Sequence, residues 1–167
     1  MLYIIVAPFS PNDGERWTSY CEWRGMHFER FESIDGVLRP NLFLTPEEDD
    51  WAHVVKEDFM LHFITDHPHA LKKREQIGRG DLVGVKFEDH DTSNPCFLGF
   101  DLLDGYCDIS LLTNWGNDVE CVNRALAANA LILQQPVVED IRRELLQTHG
   151  DDPHVEGCSV VSVYRPG

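Results

Sequence analysis

Leu82-Val83-Gly84-Val85-Lys86-Phe87-Glu88 and Phe97-Leu98-Gly99-Phe100-Asp101-Leu102-Leu103 are two β-rich runs on either side of a polar loop, Asp89-His90-Asp91-Thr92-Ser93-Asn94. Both are the length of ordinary strands and carry the branched and aromatic side chains that fit a pleated sheet. Working outward, Leu2-Tyr3-Ile4-Ile5-Val6-Ala7 reads as a first buried strand, and Cys158 to Tyr164 (CSVVSVY) as a closing one. Phe59 to Thr65, Phe28 to Glu32 and Tyr106 to Leu112 also have strand character, and Ile34-Asp35-Gly36-Val37 supplies an Asp-Gly turn.

Between these runs lie helical signals. Asp13 to Trp23 can form a short helix with Trp17 and Tyr20 on one side. Thr45-Pro46-Glu47-Glu48 is a helix start, with a capping hydroxyl, proline in the first turn and carboxylates at the positive end of the dipole. That helix is expected to run to about Val55. Asp66 can cap a second helix over Pro68 to Ile77, stopped by Gly78, with Lys72, Lys73 and Arg74 on its surface. From Pro136 to Leu146, Val137, Ile141 and Leu145 form one apolar stripe with Val138 beside it. Strands and helices are mixed without regular βαβ alternation. The sequence therefore predicts an α+β fold, a single domain over residues 1–167, with a mixed or antiparallel sheet and about three to four helices.

The chain has 167 residues, 29 acidic against 14 basic, for a formal net charge of −15. This disfavours general binding to nucleic acid or to an anionic membrane surface, since both present negative charge. It suits a cationic partner. No apolar run reaches the ~18 residues of a membrane-spanning helix. The N-terminal run is short and follows no basic segment, so a cytoplasmic location is expected.

The five cysteines, Cys21, Cys96, Cys107, Cys121 and Cys158, have no CxxC spacing and read as free core thiols rather than a disulfide frame. His62, His67 and His69 fall within eight residues. An His-x-His pair can chelate a metal, but Pro68 stands between two of these rings and no further ligand has matching spacing. They remain a weak metal alternative, for a small metal-dependent hydrolase, with an enzyme of another kind also left open. Gly78-Arg79-Gly80-Asp81 has glycines like those of a phosphate loop, yet it ends a helix and enters a strand, the reverse of the order a phosphate loop needs. No nucleophile elbow and no P-loop is present. No catalytic residue and no cofactor is expected.

The most uneven feature is charge. Residues 87–123 contain no Lys or Arg but hold eight carboxylates: Glu88, Asp89, Asp91, Asp101, Asp104, Asp108, Asp118 and Glu120. Tyr106, Asn114 and Trp115 are interleaved with them. One reading is a solvated acidic face that keeps the chain soluble. The other is a docking surface. There Asp101, Asp104, Asp108 and Asp118 pair with Lys or Arg of a partner, while Tyr106, Asn114 and Trp115 supply contact area.

The run Phe97-Leu98-Gly99-Phe100-Asp101-Leu102-Leu103-Asp104-Gly105-Tyr106, continuing Asp108-Ile109-Ser110-Leu111-Leu112-Thr113-Asn114-Trp115-Gly116, resembles a segment of small bacterial immunity proteins of contact-dependent growth inhibition and other polymorphic toxin systems. Ile141-Arg142, His154 and Cys158-Ser159-Val160-Val161 add to the likeness, which covers about a third of the chain. The resemblance implies a cytoplasmic antitoxin that occludes a toxin domain, often a basic nuclease. Such proteins carry no catalytic residues to transfer. An acidic adaptor or regulatory domain is the further alternative.

Overall fold

In the computed structural model of the protein, the described residues are 1–55, 62–115 and 119–166, without the side chains of residues 119 and 121. Four strands, β1 (Leu2–Val6), β2 (Asp81–Lys86), β3 (Phe97–Leu103) and β4 (Ser159–Tyr164), form one antiparallel sheet in the order β1-β2-β4-β3. The fold is α+β, as the sequence predicts. The last strand is thus internal: Val85 lies opposite Val163 on one side of it and Asp101 opposite Val161 on the other. The helices are α1 (Glu15–Arg24), α2 (His67–Ile77), α3 (Val119–Ala125), α4 (Gln135–His149) and α5 (Pro153–Glu156). No helix among the described residues is long and apolar enough to cross a membrane.

Side-chain alternation divides the sheet cleanly. On one face, Ile5 and Leu82 pack with Ala70 of α2, and Phe100, Leu102 and Val160 pack with Val138, Ile141 and Leu145 of α4. Each of these three α4 side chains contributes about 1.5–3 kcal/mol by leaving water. Val137, expected in the stripe, is only half-buried. The opposite face (Ile4, Val6, Val83, Val85, Val161 and Val163) is covered by irregular chain carrying Ile34, Phe63, Cys107 and Leu131.

Local signals explain the elements that match expectation. Asp66 accepts from the His69 N–H at 2.8 Å to cap α2, and Gly78 ends that helix in the left-handed conformation, which glycine adopts without steric cost. Several expectations are corrected. Residues 28–32 are not a strand: Phe28 and Phe31 both turn inward to the aromatic cluster with Phe9 and Tyr20, a spacing of three that no single strand face allows. Thr45 does not open an α-helix. A 3-10 turn spans Glu48–His53 instead, opened by Glu47, whose N–H donates to Asp50 Oδ2 at 2.8 Å. Of the expected strand 59–65, residues 59–61 lie outside the described residues, and Ile64 makes only isolated bridges, to Tyr3 and Val54. Residues 106–112 form turns, with one bridge between Leu103 and Ser110. Helices α3 and α5 carry no sequence expectation.

Lys73 is buried rather than on the surface of α2. Its ammonium lies 2.8 Å from Asp50 Oδ1, and Asp50 is buried as well. Cys107 and Cys158 are buried, while Cys21 and Cys96 are partly exposed. The Cys121 side chain lies outside the described residues.

Candidate interaction face beside a buried acid network

The structure sorts the expected contact residues into two groups. Asp101 points to the face of the sheet that irregular chain covers and is fully buried. Its Oδ2 accepts from Ser33 Oγ (2.8 Å) and the Ile34 N–H (2.7 Å), and its Oδ1 from Ser110 Oγ (2.5 Å) and the Leu102 N–H (2.9 Å). Beside it lies Asp35, also fully buried, whose Oδ1 accepts from the Val37 and Leu38 N–H groups and from Asn114 Nδ2. Burial pushes the Asp35 carboxyl up to about 6, and the neighbouring Asp101 charge adds to that. Burial also raises Asp101, against the pull of its four donors. Among the described residues no cation forms an ion pair with either. The Ser33 and Thr113 hydroxyls, 2.9 Å apart, and the Tyr20 hydroxyl, donating to the Thr113 carbonyl at 2.9 Å, complete the network. It is closed to solvent and fastens the loop at residues 33–38 to the turns at 108–114.

Asp104, at the end of β3, is buried too. The chain wraps around its carboxylate: Oδ1 accepts from the Asp108 N–H (2.7 Å) and the Ile109 N–H (3.1 Å). Cys107 takes a left-handed φ of 51° to make this turn possible. Asp104 Oδ2 lies 2.7 Å from His154 Nδ1. With a carboxylate as acceptor, Nδ1 carries the proton and Nε2 is left as the ring's other polar atom. Helix α5, which carries His154, seats directly on Gly105: the Gly105 N–H donates to the His154 carbonyl at 2.8 Å, and a Cβ on Gly105 would lie 2.7 Å from the Pro153 carbonyl oxygen. Only glycine permits that approach.

Asp101 and Asp104 are therefore internal, their oxygens committed within the chain, and neither is a group a partner reaches in this fold. This corrects their expected role as surface contacts. Charge counting along a sequence misses such burial, because the donors that satisfy these carboxylates come from residues 33–34, 108–110 and 154.

The outward group is smaller. Tyr106 is 45% exposed and meets the His154 ring edge-on at 5.1 Å. Asp108 is half-buried, and its carboxyl is raised by burial and by Asp104, with His154 opposing. Around α5, Asp151 and Glu156 are exposed and Asp152, which caps the helix through the His154 N–H at 2.8 Å, is half-buried. Trp115 is half-buried and faces His149 of α4 edge-on at 4.8 Å. Asn114 is occupied by Asp35. Asp118 lies outside the described residues. The other acids of the Lys/Arg-free stretch sit elsewhere: Glu88, Asp89 and Asp91 are exposed between β2 and β3, and Glu120 pairs with Arg124 along α3. The stretch does not form one acidic face. Its outward share near Tyr106 is supplemented by α5, whose Asp152-Pro153 helix start is the sequence signal that could have located His154.

The histidines do not assemble a metal centre. His69 Nε2 lies 2.9 Å from Asp50, His67 stacks on Tyr3, and His62 lies edge-on to Trp51. Among the described residues, no group of three or more His, Cys, Asp or Glu is placed to hold a metal ion. No family model, curated protein or solved structure matches the chain.

Proposed function

We propose that the protein is an immunity protein, a cytoplasmic antitoxin that binds a cationic toxin domain such as a nuclease and occludes its active site. The observation that carries this reading is the placement of acidic charge in a chain of net charge −15, with residues 87–123 free of Lys and Arg. Within that stretch, Tyr106 and Asp108 reach the surface beside Asp151, Asp152 and Glu156 around α5. An exposed tyrosine on a rigid loop supplies contact area at low entropic cost. Carboxylates around it attract and align the Lys and Arg side chains that a nuclease uses to hold phosphate. Asp104 serves this face as a positioning residue, holding both the Tyr106 loop and His154.

The test is co-expression with the toxin encoded beside the gene. The wild-type chain is expected to restore growth and to bind the purified toxin domain with an affinity that falls as salt rises. Reversal of two carboxylates, D108K with E156K, together with Y106A, is expected to abolish protection and flatten the salt dependence while the fold is kept. Full protection by that triple variant excludes this face. Failure of the wild-type chain to protect against the neighbouring toxin removes the reading altogether.

A further inference from the structure

The far end of the sheet carries the opposite charge. Strand β4 separates β2 from β3 only as far as Tyr164, and beyond it a cleft of about 210 Å³ opens between Asp81–Val83 and Leu98, rimmed by Arg30, Arg74 and Arg165.

The reason β4 stops is legible in the backbone. The Tyr3 N–H and C=O both bond to Ile64, so the pair Tyr3↔Gly84 exchanges no hydrogen bonds across β1 and β2. By alternation, Gly84 and Leu82 turn their polar groups toward β4 instead. Tyr164 lies opposite Gly84, and the next such position along β4, opposite Leu82, falls to Pro166, which has no N–H to give. The ladder ends there, because the Leu82 carbonyl finds no backbone donor in Pro166.

Charge in the cleft does not balance. Glu32 is shared between Arg30, at 3.2 Å, and Arg165. Asp81 is paired at 2.8 Å with Arg39, whose guanidinium is buried and also donates to the Ala7 and Ser33 carbonyls at 3.2 Å. Arg74 donates to the Gly80 carbonyl and, among the described residues, forms no ion pair with a carboxylate. Among the described residues, four guanidinium groups thus meet two carboxylates, in a chain whose overall charge is strongly negative.

We propose that this cleft binds the oxyanion head of a small ligand, a carboxylate or a phosphate group. Arg74 and Arg30 present the planar donor forks that suit either anion, and Arg165 closes the rim.

The test is an NMR titration of the full chain with inorganic phosphate and, separately, with acetate, at ionic strength held constant with chloride. Saturable shifts at Leu82, Val83, Leu98 and Arg165 are expected with at least one anion, and the anion that saturates identifies the head group. R30Q combined with R74Q, both exposed positions, is expected to weaken binding at least about tenfold with a preserved spectrum. R143Q on the outer face of α4 is expected to leave it unchanged. Shifts that do not saturate, that chloride alone reproduces, or that survive R30Q with R74Q overturn the proposal. None of these outcomes bears on the binding of a toxin.

Discussion

Two buried acidic sites solve the same problem in opposite ways. Asp50 is held by a cation: Lys73 lies at 2.8 Å, with the Glu47 N–H and His69 completing its shell. Burial pushes its carboxyl upward, but these partners outweigh that and hold it below the usual range. Among the described residues, Asp35 and Asp101 have only neutral donors, backbone N–H, hydroxyl and amide groups, and burial wins there. Removing a carboxylate from water costs several kcal/mol, and here the site with a cation recovers enough of that to stay ionised while the sites with neutral donors do not. Neutral donors fix geometry instead. The two sites accordingly carry opposite pH signatures.

The comparison breaks most sharply at Lys73. K73M leaves the Asp50 carboxylate buried without its cation, and a loss of about 3–5 kcal/mol is expected by chemical denaturation. If K73M costs under about 1 kcal/mol, the ammonium is not what holds Asp50. Next is D101A, which strands Ser33, Ser110 and the Ile34 N–H together. A loss of about 3 kcal/mol is expected, with D101N recovering part of it because one carboxyl oxygen is kept as an acceptor.

A third test uses pH. Asp35 has a folded value near 6, above its unfolded value of 3.8, so the folded state binds the extra proton between them. Its contribution is full below about pH 4 and is lost as pH rises through about 6, by roughly 2–3 kcal/mol in all. D35N is expected to flatten the stability profile in that window. Asp50 runs the other way: its contribution is present above the unfolded value and is lost as pH falls through its lowered folded value. In K73M that acid-side loss shrinks. The smallest effect is at the outward residues. Y106A is expected to change stability by less than about 0.5 kcal/mol, so any loss of toxin binding in it reports contact and not folding.

The elements with complete local signals were legible in the sequence. Strand β3 spans the residues that its apolar run predicts, and α2 lies between its Asp66 cap and Gly78 stop. Where the chain answers to distant partners, local reading fails. Residues 106–112 have strand-like composition, but the carboxylates of Asp101 and Asp104 draw the chain into turns around themselves. Residues 28–32 mix aromatic and charged side chains as a half-exposed strand can, yet Phe28 and Phe31 are claimed by the same aromatic cluster. The candidate site was half-legible for a related reason. Tyr106 and Asp108 were visible as polar surface, whereas His154, which completes the face, is 50 residues from Asp104.

The position of β4 also sets an order of events during synthesis. Its neighbours in the sheet, β2 and β3, are made some 60 to 80 residues earlier, so both must wait for the chain to pass Tyr164 before they gain a common partner. Until then the two strands expose edges that β4 later covers, and closure depends on contacts remote in sequence, which form slowly. A nascent chain halted before residue 159 would leave the ribosome with an unclosed sheet and a ready substrate for chaperones or proteases.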